Sequence, residues 1–263
     1  MNWIKGSGMT KVSIGIVPGF FTMANMFCGF YSVIQSAQNK FVTAAWLIVA
    51  AAVLDVLDGK LARLTDSSSN FGVQYDSMAD VVSFGFAPSA LAYFVFFSNW
   101  GTIGILLSFM PLVFGSIRLA RFNVRLKGYD KPYFEGAPIP ASAVVLSTFV
   151  IFNFEYWGYL RWSKIFLSVM LLVSLLMVSS FRYETMPNFS LQSGVLNRIK
   201  ALIVVICVGI IIVFPQEALF PLAVLYLLSG PARMIWQFVN PKYGKKSTEI
   251  KDTEDENRRQ SAS

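Results

Sequence analysis

Long apolar stretches separated by short polar breaks run along almost the whole chain of 263 residues. Eight can be marked, at approximately 14–36, 41–64, 76–97, 101–122, 139–160, 162–181, 199–214 and 217–238. Each is near the roughly 20 residues a helix needs to cross the hydrocarbon core of a bilayer. The pattern predicts an all-α integral membrane protein with about eight transmembrane helices. The seventh stretch is short and ends at Phe214-Pro215, which predicts a tight turn into the eighth. Residues 1–13 mix Trp3, Ile4, Met9 and Val12 with Lys5 and Lys11, the pattern of an amphipathic segment lying on the membrane surface. Residues 14–238 form the membrane body, and 239–263 read as a polar, disordered cytoplasmic tail. The opening MNWIKGSGMTKVSIG has no compact apolar run followed by a cleavage site, so the first span is expected to act as an uncleaved signal.

Composition agrees with the pattern. The chain is 55% hydrophobic and 14% charged, where a soluble domain carries about 25% charged residues. Mean hydropathy is +0.55. With the N-terminus in the cytoplasm, nineteen of the 22 Lys and Arg fall on cytoplasmic segments, and only Lys40, Arg161 and Lys164 fall outside. That asymmetry orients both termini and the 64–76 turn towards the cytoplasm. The net charge of +7 suits a face held against anionic lipid, so no nucleic-acid partner is expected. Cys28 and Cys207 both lie within apolar runs and read as small hydrophobes. Histidine is absent, which leaves carboxylates as the metal ligands and general bases.

Four such carboxylates interrupt the apolar pattern, in DVLDGKLARLTDSSSNFGVQYDSMAD at 55–80. Asp55 and Asp58 are three apart near the end of span two, and Asp76 and Asp80 are four apart at the start of span three. Each pair shares a helix face. A short turn makes the spans antiparallel neighbours, so all four can converge at one depth near the cytoplasmic boundary. An unpaired aspartate deep in a spanning helix costs about 2.5–3.5 kcal/mol, and crowding adds repulsion. Asp76 and Asp80 gain from the positive end of their helix; Lys60 and Arg63 are too few to neutralise four anions. One or two divalent cations would resolve the conflict, and an all-oxygen site suits Mg²⁺ or Mn²⁺. A cation pathway is the rival use of such acids, but no acid lies near the middle of another span.

The spacing Asp55-x2-Asp58-Gly59-x2-Ala62-Arg63-x8-Gly72-x3-Asp76-x3-Asp80 resembles the signature of the CDP-alcohol phosphatidyltransferase family at every position. These are membrane enzymes with a six-helix core. The resemblance implies that Asp55, Asp58, Asp76 and Asp80 hold the metal that bridges the diphosphate of a CDP-linked substrate, and that Asp80 is the general base. Gly59 and Ala62 then leave room for the pyrimidine, Arg63 sets a forked cation on phosphate, and Gly72 lets the turn bring the helices close. Thr22 and Asn25, three apart on helix one, are candidates to contact the nucleotide or to bond between helices.

The stretch at 72–89, with Ser83, Phe84, Gly85, Ala87 and Pro88, is similar to the branch of the family that uses serine as acceptor. SIRLARFN at 116–123 and the segment 136–140 agree with that branch. The resemblance implies transfer of a phosphatidyl group from CDP-diacylglycerol to L-serine, releasing CMP, in the inner membrane. Glycerol 3-phosphate and inositol are the alternative acceptors, and a homodimer stays open. Arg118 and Arg121 share one face at the end of span four. With Asn123 they are expected to bind serine's carboxylate or the lipid phosphate. Arg125, Lys127 and Lys131 read as cytoplasmic anchors, and Pro138 and Pro140 as the start of span five.

Overall fold

The computed structural model describes residues 8–64, 70–126, 134–183 and 206–239, except 208 and 212. Helix α1 (Gly8–Ala37) starts within the segment expected on the membrane surface and runs on unbroken. It reverses into α2 (Phe41–Leu64) through a tight turn in which Asn39 has a positive φ of 61° and the Lys40 amide donates to the Gln35 carbonyl at 2.9 Å. The two helices pack along one another, tied by the Ser32 hydroxyl on the Ala44 carbonyl at 2.9 Å.

The next helical stretch is long and irregular. It opens with α3 (Asn70–Asp80) and widens to π-helical turns at Val81–Phe86. It then narrows to α4 (Ala87–Ala92), widens again at Tyr93–Phe97 and closes in a 3₁₀ turn at Ser98–Trp100. At Gly101 the chain turns back into α5 (Gly101–Ser108) and α6 (Met110–Leu126), which returns against the π-helical turns after Asp80. A two-residue ladder joins β1 (Phe134–Glu135) to β2 (Arg182–Tyr183), pairing Phe134 with Tyr183 and Glu135 with Arg182.

Between those strands lie α7 (Ile139–Trp157) and α8 (Ser163–Val178). Helix α7 starts as expected, with Pro138 at its N-cap and Pro140 inside the first turn. Just before it, Gly136 has φ 84° and donates its amide to the Phe181 carbonyl at 2.8 Å. A methyl group there would sit 2.2 Å from the Met177 carbonyl oxygen, so the chain passes as glycine or not at all. Helix α9 (Pro215–Val239) packs on α7 and on β2.

Among the described residues the protein is all-α apart from the two-residue ladder. Every predicted span except 199–214, part of which lies outside the described residues, is helical. Three described helical stretches, at Phe41–Leu61, Phe71–Val124 and Ile139–Trp157, are long and apolar enough to cross a membrane. The second has 54 residues, more than twice what one crossing takes, and it folds back on itself at Gly101. Large apolar side chains sit on both the inside and the outside. Phe84, Ile48, Leu146, Phe166 and Met170 fill the core, while Phe20, Phe27, Ile103 and Leu106 face outward. Apolar residues on the outside belong in lipid.

Polar groups are drawn inward instead. Ser147, Thr148, Asn153 and Ser174 are buried, and several bond to carbonyls of their own helix, as Thr148 does to Val144 at 2.6 Å. Hidden hydroxyls and amides of this kind help helices pack where no water is present.

Candidate functional site

The end of α2 and the start of α3 bring the aspartates together. Asp55, Asp76 and Asp80 each offer a carboxylate oxygen, and these atoms lie within 4.8 Å of one another. Asp58 is buried one turn along α2 and accepts a hydrogen bond from the Thr22 hydroxyl of α1. The structure thus adds a helix to the expected pair, because α1 supplies the donor that orients Asp58. Asp80 is buried, at 8% exposure, with Asp55 and Asp76 as like charges and Arg118 of α6 as the opposing one.

Buried carboxylate oxygens ordinarily find donors. Here Asp58 Oδ1 and Asp80 Oδ1 have no hydrogen-bond partner among the described residues. Asn25, fully buried beside Asp80, likewise has neither amide atom in normal hydrogen-bond geometry. Orphaned oxygens beside a triad of carboxylates fit a hard divalent cation, which prefers oxygen ligands. Asp55, Asp76 and Asp80 are the residues that would hold it.

Two expectations about this region change. Helix α3 begins at Asn70, so Gly72 lies in the helix rather than in the connection, 65–69, which lies outside the described residues. For the same reason Asp76 stands beyond the first turn, where the helix dipole has faded, and no acid occupies that turn. The carboxylates therefore meet without help from the helix end. Gly59 is exposed on α2. Ala62 and Arg63 belong to α2, but their side chains lie outside the described residues.

The arginine pair divides its work. Arg118 is 7% exposed, and Asp80 and Tyr226 are the groups whose charge it feels. Arg121 donates through Nη1 to the Val178 carbonyl at 2.8 Å, which caps the last turn of α8. Carbonyls at a helix C-terminus lack partners within the helix, and a guanidinium is a common answer. Asn123 bonds across to α3: its amide donates to the Ser77 hydroxyl at 3.0 Å, and Ser77 also donates to the Val73 carbonyl at 3.1 Å. That contact pins α6 beside Asp76. A groove of about 320 Å³ opens along the same seam, lined by Gln74, Met78, Val81 and Leu119. Those α3 positions face away from Asp76 and Asp80, so the groove is apart from the carboxylates.

Sequence reasoning missed three neighbours of the site. Ser77 follows Asp76 directly, but its partner is 46 residues away. Ser83 belonged to the quoted run, yet nothing in the run shows that its hydroxyl donates to the Asn25 carbonyl at 2.9 Å. Tyr226 carries no local signal at all.

A lipid-facing helical bundle with carboxylates pooled between two of its helices defines an integral membrane enzyme built around a metal-ready acidic centre. The particular family is also clear: the chain belongs to the CDP-alcohol phosphatidyltransferases, whose family model matches residues 15–170. Members of that family use a divalent metal, in keeping with the acidic centre. Similar proteins extend the match over most of the chain. CDP-diacylglycerol–serine O-phosphatidyltransferase of Helicobacter pylori is 40% identical over 232 residues, covering 88% of this chain and 95% of that protein. The protein of the same description from Mycobacterium tuberculosis is 29% identical over 238 residues, covering 86% and 81%. Archaetidylserine synthase of Methanothermobacter thermautotrophicus is 35% identical over 180 residues, covering 68% and 73%.

Proposed function

We propose that this protein transfers the phosphatidyl group of CDP-diacylglycerol to the hydroxyl of L-serine, giving phosphatidylserine and CMP. The single observation that carries the reading is the convergence of Asp55, Asp76 and Asp80 within 4.8 Å, in a chain 40% identical to a serine phosphatidyltransferase over nearly its whole length. Serine is favoured over glycerol 3-phosphate or inositol because two of the similar proteins are named for serine transfer and a third as a serine-lipid synthase.

The residues divide the chemistry as follows. Asp55, Asp76 and Asp80 would hold a divalent cation, Mg²⁺ or Mn²⁺, and Asp58 is assigned to the same cation on the strength of the sequence signature. When bound, the cation offsets the diphosphate charge and fixes the line between attacking and leaving oxygens. Asp80 takes the proton from the serine hydroxyl. The freed oxygen pair forms a bond to the β-phosphorus, the one that carries the lipid. The bond from that phosphorus to the bridging oxygen breaks, and CMP departs with the electrons. A carboxylate is a weak base for an alcohol, so the proton moves late, as the new bond forms. Thr22 holds the Asp58 carboxylate through its hydroxyl. Arg118, beside Asp80, is suited to an anionic group on the acceptor or the lipid phosphate. Gly59, Ala62, Arg63 and Gly72 are assigned to the CDP end on the strength of the sequence signature, and Asn25 as a helix-one candidate buried beside Asp80.

The catalytic body spans 14–238, with the active site facing the cytoplasm at the inner membrane; the Lys and Arg asymmetry supports that orientation. The test is direct. Purified protein given CDP-diacylglycerol, Mn²⁺ or Mg²⁺ and labelled serine should form labelled phosphatidylserine and release CMP in equal amount. Product with another alcohol but none with serine would refute the acceptor, and full activity in strong chelator would refute the metal.

A further inference from the structure

We propose that Gly29 and Ser83 are positioning residues for the acidic centre. The contact between them seats helix α1 against the coil that carries Asp80, and so sets the centre's affinity for a divalent cation. The inference rests on the metal reading above, but not on the choice of acceptor. Both residues lie outside the signature at 55–80 or between its helices and the rest of the bundle, where no role has been given to them.

One face of α1 joins the helices of the site. Thr22, Asn25, Gly29 and Ser32 recur at helical spacing, which keeps them on one side, and all four are buried. The Thr22 hydroxyl donates to Asp58 and the Ser32 hydroxyl to the Ala44 carbonyl at 2.9 Å, so this face is bonded to α2 in two places. Between those two bonds the same face meets the third helical stretch. The Ser83 hydroxyl donates to the Asn25 carbonyl at 2.9 Å, and both residues are fully buried. Gly29, one turn further along α1, lies against the same serine. A methyl group there would fall 2.5 Å from Ser83 Oγ and 2.6 Å from Ser83 Cα. Only a residue without a side chain lets the two backbones come so near.

Ser83 follows Asp80 within the widened turns Val81–Phe86. The contact therefore fixes where the Asp80 end of that stretch lies beside α1, while Thr22 on the same face of α1 holds Asp58 of α2. Helix α1 is in this way a common backing for two acidic pairs that come from different helices. A hard cation is sensitive to such backing. Mg²⁺ demands near-ideal geometry at about 2.0–2.1 Å from its oxygens, and groups that hold metal ligands from behind typically change affinity by about 10–100-fold when lost. A β-carbon on Gly29 is a wedge aimed at this point. It would lie roughly 1 Å inside ordinary contact with Ser83 Cα, a backbone atom that cannot rotate away, so α1 or the Asp80 coil must give. The competing account is that Gly29 and Ser83 only pack the bundle.

The experiment measures Mn²⁺ binding to the purified full chain in detergent, without substrates, from the electron paramagnetic resonance signal of the free ion. Wild type is compared with Gly29→Ala, which drives the wedge in, and with Ser83→Ala, which removes the bond and keeps the space. Gly19→Ala is the control, since Gly19 lies on the same helix with nothing within 4 Å of an added methyl group. Melting temperatures in chelator are taken on the same preparations. The expected result is a Kd for Mn²⁺ raised roughly ten-fold or more in Gly29→Ala and about three-fold or more in Ser83→Ala, with Gly19→Ala equal to wild type. A wild-type Kd in either folded variant overturns the inference, even where its melt has fallen, because that is the mark of packing alone. An equal rise in Gly19→Ala overturns it too. If Gly29→Ala does not fold, Ser83→Ala decides. Wild type that binds no Mn²⁺ is a different outcome: it sinks the metal reading, and this inference with it.

Discussion

Replacing Asp80 by asparagine should make the resting protein more stable and the enzyme inactive. The carboxylate oxygens of Asp55, Asp76 and Asp80 lie within 4.8 Å of one another. Two unit charges at that separation repel by about 3.5 kcal/mol at an effective dielectric of about 20. Asp80 takes part in two such pairs, and Arg118 offsets part of them. Asparagine has the same shape, no charge and an amide that can donate to the neighbouring carboxylates, whereas Asp80 Oδ1 has no partner among the described residues. Allowing for Arg118 and solvent, about 1–2 kcal/mol should survive as stabilisation, a rise of a few degrees in melting temperature for a chain of this size.

The assay is thermal unfolding of detergent-solubilised wild type and Asp80→Asn, each in chelator and in Mn²⁺. In chelator the variant should melt higher. In Mn²⁺ at about 100 times its Kd, wild type should gain about 2.7 kcal/mol, and the variant should gain less because a ligand has gone. Turnover should fall at least 10²-fold with loss of the base. A variant that melts lower in chelator, or equal stabilisation of both proteins by Mn²⁺, would refute the argument that these acids are crowded for the sake of a cation.

Two further substitutions separate architecture from chemistry. Arg121→Ala strips the cap from the Val178 carbonyl and should lower stability by about 1–3 kcal/mol, read as a lower melt, while the KM for serine changes far less than in Arg118→Ala. Gly136→Ala forces a β-carbon against the Met177 carbonyl at a positive φ; the expected outcome is a poorly folded protein with a small monodisperse fraction on size exclusion, and a normal yield would show that the β1–α7 corner relaxes easily.

The parts of this molecule visible in the sequence are those set by period and hydropathy. Spans such as 41–64 and 139–160 declare themselves because lipid demands unbroken apolar runs, and Asp55, Asp58, Asp76 and Asp80 stand out because charge is costly there. The family resemblance drawn from their spacing is borne out. The beginning of α3 was hidden because Asn70-Phe71-Gly72-Val73-Gln74 is mixed in polarity, so the helix outruns the apolar stretch. The wide turns at Val81–Phe86 and Tyr93–Phe97 were hidden for the opposite reason: the segment is apolar on every side, and a change of pitch leaves no mark on it. Arg118 and Arg121 looked alike because three residues put them on one face, yet the small rotation between them separates a buried carboxylate from a helix end. Tyr226 was invisible because its neighbours come from segments far away along the chain.

The widened coil that follows Asp80 has a consequence of its own. Each such coil stores one residue more than the regular pitch needs, so the acidic head of the third span and its greasy trunk are out of angular step. Substitutions along the trunk can retune its fit to the surrounding lipid while the head keeps its aim. Loss or gain of a single residue between them would swing the head by about 100° and turn the carboxylates off their common centre. The outward-facing positions of this stretch can therefore change in letters, but its length hardly at all.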